Sequence, residues 1–382
     1  MSVDKLKQAV LGAVAVSLYL ASGAVMAALS DMPLNLTQGV TEISQRVYDL
    51  HMIILYIVTV IGILVFGVMC WSIFYHRKSR GAVAAQFHHS TTAEIVWTVI
   101  PIFILVAMAV PATKTLIFME QTSDAEMTVK VTGYQWKWKY DYMEDGISFF
   151  SSLDQKSNEA RQMNSGIDPN TVDNYLLDVD NPVVLPINTK VRILTTAADV
   201  IHAWWVPDLG WKRDAIPGFI NDNWTYIKEP GTYRGQCAEL CGKDHGFMPI
   251  VVKAVTKEEY ATWVAEQKAA QAAAAEGANR EWSMAELMER GEAVYAANCA
   301  ACHMPNGEGV GTFPALINSP IAKGPIADHI DIVLNGKEGS MMQAFGAQLN
   351  DVDIAAVVTY ERNAWGNDVG DVAQPAEVKA AR

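Results

Sequence analysis

Positive charge is scarce in this chain: 29 lysines and arginines stand against 42 aspartates and glutamates, a formal net charge of -13. A nucleic-acid binder needs a basic surface for phosphate, so that class is excluded and a basic partner fits better. Cysteine is scarce as well. Five in 382 residues are too few to staple a secreted disulfide scaffold, so their spacing matters more than their number. Charged residues of either sign make up only 19%, whereas hydrophobic residues reach 51% and mean hydropathy is +0.10. This balance excludes a disordered chain and places part of the protein in lipid. No internal repeat is visible, and the length suits two or three domains rather than one.

Residues 1–27 read as an export signal. Lys5 and Lys7 precede an apolar run from Ala9 to Met26, and small residues follow at Ala27 and Ala28; a retained first membrane helix is the alternative. No cysteine stands near Ala27 to carry a lipid. Two further apolar stretches, at about 50–75 and 93–118, are each long enough to cross a hydrocarbon core of about 30 Å. They predict a transmembrane hairpin within 28–121, with Pro101 and Pro111 in its second helix. Between them His76-Arg-Lys-Ser-Arg80 is a short basic loop of the kind kept in the cytoplasm, so both ends of the hairpin face outward. The expected location is the bacterial inner membrane, multi-pass, with a large periplasmic C-terminal region. Glu94 marks the start of the second helix, either as a dipole-favoured first-turn carboxylate or as a proton-entering group.

Beyond the hairpin, residues 122–256 carry short β-branched runs punctuated by Pro, Gly, Asn and Asp. A strand is expected over Met127–Trp138, with others at Val183–Pro186, Val191–Thr196, Asn223–Ile227 and Pro249–Ala254, hence a β-sandwich or barrel. Ser151 to Asp173 reads as a polar insertion loop. An alanine-rich, partly helical linker covers 257–281, a small all-α domain covers 282–370, and 371–382 is a tail.

Chemistry concentrates in two places. Cys237, Cys241, His245 and Met248 form C-x3-C-x3-H-x2-M, with His202 in Ala198-Asp-Val-Ile-His-Ala-Trp-Trp-Val-Pro207 as a further ligand from elsewhere. Soft sulfur with imidazole nitrogen selects copper over calcium, magnesium or manganese. A Cys237–Cys241 disulfide leaves His245 and Met248 unexplained, and structural zinc disfavours methionine. A copper-chaperone or thiol-oxidoreductase role also uses two cysteines and a histidine.

Together with the two-helix anchor and the aromatic run Gly133-Tyr-Gln-Trp-Lys-Trp-Lys-Tyr140, this loop resembles subunit II of the haem-copper cytochrome c oxidases over roughly residues 30–265. The resemblance implies a cupredoxin-like β-domain carrying a dinuclear CuA centre. Cys237 and Cys241 would bridge the coppers, His202 and His245 would bind through nitrogen, Met248 through sulfur and Glu239 through its backbone carbonyl. It also implies that the Glu239 side chain helps bind Mg or Mn at the subunit I interface, that electrons enter through Trp136, and that Glu94 opens a proton path. Trp138 and Tyr140 read as barrel core.

The second place is Cys299-Ala-Ala-Cys302-His303, a C-x-x-C-H motif for covalent haem c attachment. Met304 is too close to His303 to reach the opposite face of the iron, leaving Met341 or Met342. Gly339-Ser-Met-Met-Gln-Ala-Phe-Gly346 resembles the class I cytochrome c pattern, which favours Met342, with Phe313-Pro-Ala-Leu316 as pocket wall and Asp351–Asn363, carrying Tyr360, as C-terminal helix. Methionine opposite histidine suits electron transfer. Cys70 reads as a lipid-buried apolar residue.

Residues 276–382 hold fifteen Asp or Glu against seven Lys or Arg, a surface that attracts basic donors or simply keeps an exported domain solvated. The combined expectation is subunit II of a caa3-type cytochrome c oxidase with a fused cytochrome c domain. It would take electrons from a soluble or membrane-bound cytochrome c and pass them to the haem and CuB site of subunit I, coupled to proton translocation, with subunit III and membrane lipid as further partners. No catalytic oxygen site lies in this chain. The competing readings are a CuA component of a nitric oxide or nitrous oxide reductase and a stand-alone membrane-anchored copper and haem electron carrier.

Overall fold

A computed structural model of the protein describes residues 35–382 apart from 87, 163, 164 and 347, so the expected signal at 1–27 lies outside the described residues. Two long apolar helices come first, α1 (Glu42–Tyr75) and α2 (Thr91–Met119). Each is long enough to span a bilayer with turns to spare. The first helix starts earlier than its apolar run because Thr41 and Ser44 form a reciprocal cap and Glu42 pairs with Arg46 at 2.7 Å. Its opening turns therefore stand outside the apolar span. They hold the next domain: Thr41 Oγ1 donates to the Leu209 carbonyl at 2.9 Å, and Ile43 is buried in that domain's core. The end of α2 joins them through Phe118, which meets Trp224 edge-on at 5.2 Å.

The next domain is a sandwich of two five-stranded sheets. Its strands are β1 (Met127–Tyr134), β2 (Lys137–Tyr142), β3 (Ile147–Ser151), β4 (Val183–Pro186), β5 (Val191–Ala197), β6 (His202–Val206), β7 (Trp211–Ala215), β8 (Asn221–Thr225), β9 (Gly231–Cys237) and β10 (Pro249–Val255). One sheet runs β3-β2-β1-β5-β8 and the other β4-β10-β9-β6-β7. Alternate residues of both sheets fill the space between them, among them Val129, Val131, Trp138, Tyr140, Ile193 and Trp204.

The strand expected over Met127–Trp138 is in fact a hairpin. The chain turns at Gln135-Trp136, with Tyr134 opposite Lys137 and Gly133 opposite Trp138. Inward alternation simply resumes on the returning arm, so the period of two hides the turn. Within the polar insertion, Asp154 caps a short helix, α3 (Gln155–Ala160).

Helix α4 (Lys257–Gly277) runs through the alanine-rich stretch and is pinned at its start to the sandwich, where Trp263 lies 5.0 Å from Tyr142. The C-terminal module comprises α5 (Met284–Asn298), α6 (Ala300–His303), α7 (Ile326–Asn335), α8 (Asp351–Asn363) and α9 (Pro375–Ala381). Helix α9 occupies the stretch expected as a tail. It forms because Gln374 and Glu377 cap it, Pro375 sits in its first turn and Val378 is buried in the module's core.

Helices α5 and α8 cross where Gly291 lies directly against the Ala356 carbonyl, with the Tyr360 Cβ 2.6 Å from where a side-chain carbon would stand. Tyr295, Tyr360 and Trp365 close the crossing from one side. Gly291→Ala should therefore destabilise this module by about 1–3 kcal/mol through overpacking. In calorimetry of the full chain, the module's transition should fall while that of the sandwich stays in place.

Candidate metal centres

Strand register builds the first centre. His202 opens β6 and Cys237 closes β9, and these antiparallel neighbours pair Trp204 with Cys237, which sets the imidazole beside the thiol. The His202 Nδ1 lies 3.9 Å from the Cys237 Sγ. The loop from Cys237 then folds back toward β10. Along it the Cys237 Sγ faces the Glu239 carbonyl at 3.4 Å, and the Cys241 Sγ lies 3.8 Å from the Cys237 Sγ, 3.4 Å from the His245 Nδ1 and 3.5 Å from the Met248 Sδ. Both cysteines are unbonded and buried. The ligand atoms of His202, Cys237 and Cys241 all fall within 4.8 Å of one another. His202 and the five residues singled out along the loop thus form one cluster, each with an atom within 3.9 Å of a cysteine sulfur.

The two thiols act on each other's protonation. A hydrogen bond from Cys241 lowers Cys237 to about 3, and the same bond, with burial, pushes Cys241 far above the ordinary thiol range.

Supporting residues that sequence reasoning missed surround this cluster. Asp199 Oδ1 receives the His202 Nε2 at 2.9 Å, and its other oxygen accepts from the Gln135 amide at 2.7 Å. Burial alone would raise the Asp199 carboxyl, but the hydrogen bonds from His202, Gln135 and Val200 hold it below the usual carboxylate range. Because Nε2 is committed to Asp199, Nδ1 is the nitrogen left for a metal. Gly133 on β1 makes room for the ring: a Cβ there would stand 2.7 Å from the His202 Cδ2. Trp136 Nε1 and Gln135 Nε2 both donate to the Cys241 carbonyl, at 3.2 and 2.8 Å. Trp138 and Tyr140 are wholly buried, as core.

In the helical module, Cys299, Cys302 and His303 lie along the wall of a cavity of about 480 Å³, with Phe313, Leu316 and Met342 among the other linings. His303 Nδ1 donates to the Pro314 carbonyl at 2.8 Å, which fixes the tautomer and leaves Nε2 for iron. Met341 is 65% exposed, whereas Met342 is half-buried and packs on the module's core. A buried pair, His329 and Glu361, joined at 2.8 Å, also lines the cavity, and no sequence motif announces it. The remaining His329 nitrogen is buried and has no partner among the described residues. A roomy, mostly apolar hollow with two thiols and an oriented imidazole at its edge fits a covalently held haem. Glu94 lies apart from both centres, exposed in the first turn of α2, its amide donating to the Ser90 carbonyl.

Anchor, sandwich and helical module define a membrane-bound protein of the respiratory electron-transfer type. Residues 127–255 match the family "Cytochrome C oxidase subunit II, periplasmic domain", 30–115 its transmembrane domain, and 286–360 "Cytochrome C oxidase, cbb3-type, subunit III". The chain is 43% identical over 227 residues to the probable cytochrome c oxidase subunit 2 of Rickettsia prowazekii, covering 59% of this chain and 69% of that one. For the Rickettsia bellii relative the identity is 42% over 225 residues, covering 59% and 80%. A solved structure of the periplasmic domain of subunit II from Bradyrhizobium japonicum is 41% identical, with a TM-score of 0.33, covering 39% of this chain and 97% of that one. The chain belongs to the cytochrome c oxidase subunit II family, with a fused cytochrome c domain. It is a subunit of an oxidoreductase complex, and its relatives support that role rather than the reductase or stand-alone readings. The two helices anchor it in the membrane, and the large C-terminal region is periplasmic. Its domains imply copper and haem.

Because Asp199 orients His202, Asp199→Ala should weaken copper retention by about 10- to 100-fold. Titration with a competing chelator measures this, and the absorbance of the helical module should not change.

Proposed function

We propose that His202, Cys237, Cys241, His245, Met248 and the Glu239 carbonyl hold the dinuclear CuA centre. Cys299 and Cys302 would form the thioether bonds of haem c, with His303 and Met342 on the iron. The same proposal divides the chain at 122, 257 and 282 and puts the Glu239 side chain at a Mg or Mn site shared with subunit I. The observation that carries it is a chain of close contacts: the two thiols lie 3.8 Å apart, the His202 nitrogen 3.9 Å from one of them, and the His245 nitrogen and Met248 sulfur 3.4 and 3.5 Å from the other.

When bound, the copper pair and the haem each exchange one electron with little change of geometry. The chain's residues provide the rigidity this needs. Asp199 and the Cβ-free Gly133 fix the His202 ring, the Trp138 indole donates to the Met248 carbonyl at 3.3 Å, and the Pro314 carbonyl fixes His303. Burial of both sulfurs and of Met248 excludes water from the first centre.

Electrons would come from a basic c-type cytochrome and leave for the haem and CuB site of subunit I, with subunit III completing the assembly. His202 pairs with Ala215, so loop 216–220 leaves the sheet at the same end as His202; there Phe219 and Ile220, like Leu240 in the metal loop, are well exposed. Apolar side chains bared beside a metal loop suit a permanent protein partner. Trp136 would be the point where electrons enter the sandwich, and Glu94 the mouth of a proton path.

Purified oxidase carrying His202→Ala or Cys237→Ser should lose the near-infrared mixed-valence copper band and keep haem c absorption; an unaltered copper band would refute the ligand assignment. Glu94→Gln should slow oxygen uptake with both metal spectra unchanged, and unchanged turnover would leave Glu94 a helix-start residue.

A further inference from the structure

Where the helical module sits on the sandwich decides which surface an external donor can reach. Among the described residues, three polar contacts cross the seam. Lys137 Nζ donates to the Asn298 Oδ1 at 3.1 Å, Lys243 Nζ to the Ala301 carbonyl at 3.2 Å, and Gln343 Nε2 to the Gln135 carbonyl at 3.2 Å. Each lysine also faces an aromatic ring of the module, Lys137 at 5.3 Å from Phe345 and Lys243 at 5.5 Å from Phe313. Lys137 is only 6% exposed, and its hydrogen-bond acceptor comes from the module. A lysine so deeply buried is costly unless its ammonium is satisfied, which ties its burial to the contact.

These anchors have meaningful positions. Asn298 precedes Cys299, Ala301 lies between the two haem cysteines, and Gln343 follows Met342. Across the seam, Gln135 and Trp136 both donate to the Cys241 carbonyl. Trp136 and Cys302 line one small cavity of about 80 Å³ between the domains. From Met342 to Cys241 the path thus runs through two side-chain amides and two hydrogen bonds.

We propose that Lys137, Lys243 and Gln343 form a clasp that seats the C-terminal module over the Gln135-Trp136 turn and so holds the two proposed centres in register. The proposal rests on the two-centre reading above. With both groups bound, the clasp would serve a one-electron transfer from haem to copper in which no bond forms or breaks and no proton moves. Gln135 and Gln343 are positioning residues in this account.

The test uses the intact purified oxidase and a Lys243→Ala/Gln343→Ala variant, changing one exposed and one half-buried side chain so that folding is spared. Hydrogen–deuterium exchange should increase in peptides covering 135–137 and 300–304. Flash-initiated electron transfer from haem to copper should slow about tenfold, because the rate scales with the docked fraction. Both optical spectra should match the wild type. If either exchange or rate is unchanged, the clasp is overturned. Missing copper or haem bands in the wild-type protein would instead defeat the two-centre reading, and the exchange measurement would still decide whether the clasp exists.

Discussion

Everything in the copper-binding half of this protein depends on keeping two thiols buried, 3.8 Å apart and unbonded. Their mutual hydrogen bond holds the Cys237 thiol low and, with burial, pushes the Cys241 thiol high. Metal binding would require both thiols to give up their protons, and the low-lying Cys237 is the readier of the two. The sandwich makes the arrangement possible. Cys237 ends one strand and Met248 immediately precedes the next, so the ligand loop spans two paired strands and cannot drift. His202 arrives from the adjacent strand, with its ring held from behind by Asp199.

The second centre follows a different plan. Its proposed attachment residues, Cys299, Cys302 and His303, sit on a short helical turn at the rim of a cavity rather than on strands, and the crossing of α5 and α8 at Gly291 stiffens the module. The two plans meet at the Gln135-Trp136 turn, whose side chains hold the Cys241 carbonyl while its backbone accepts from Gln343. One tight turn therefore belongs to both sites.

The two candidate metal clusters were legible as clusters because their residues are close in sequence and chemically rare, as C-x3-C-x3-H-x2-M and C-x-x-C-H. Both membrane helices and the helices at Met284–Asn298 and Asp351–Asn363 were legible because hydropathy and helix formers mark them directly. What sequence reasoning missed depends on residues that only the fold brings together. Asp199 serves His202 from three positions away, yet nothing distinguishes it from other surface carboxylates until the strand is placed. His329 and Glu361 meet across 32 positions, and Lys137 finds its acceptor 161 positions away. Strands β6, β7 and β9 escaped notice because tryptophan, charge and glycine break their alternation. The turn at Gln135-Trp136 was hidden for the opposite reason, since the same alternation continues on both of its arms.

Counting metals per polypeptide tests the central claim most directly. In the fully loaded, purified chain, elemental analysis should return two copper atoms and one iron atom for each molecule. Fewer than two copper atoms, or no iron, in such a preparation would contradict the account.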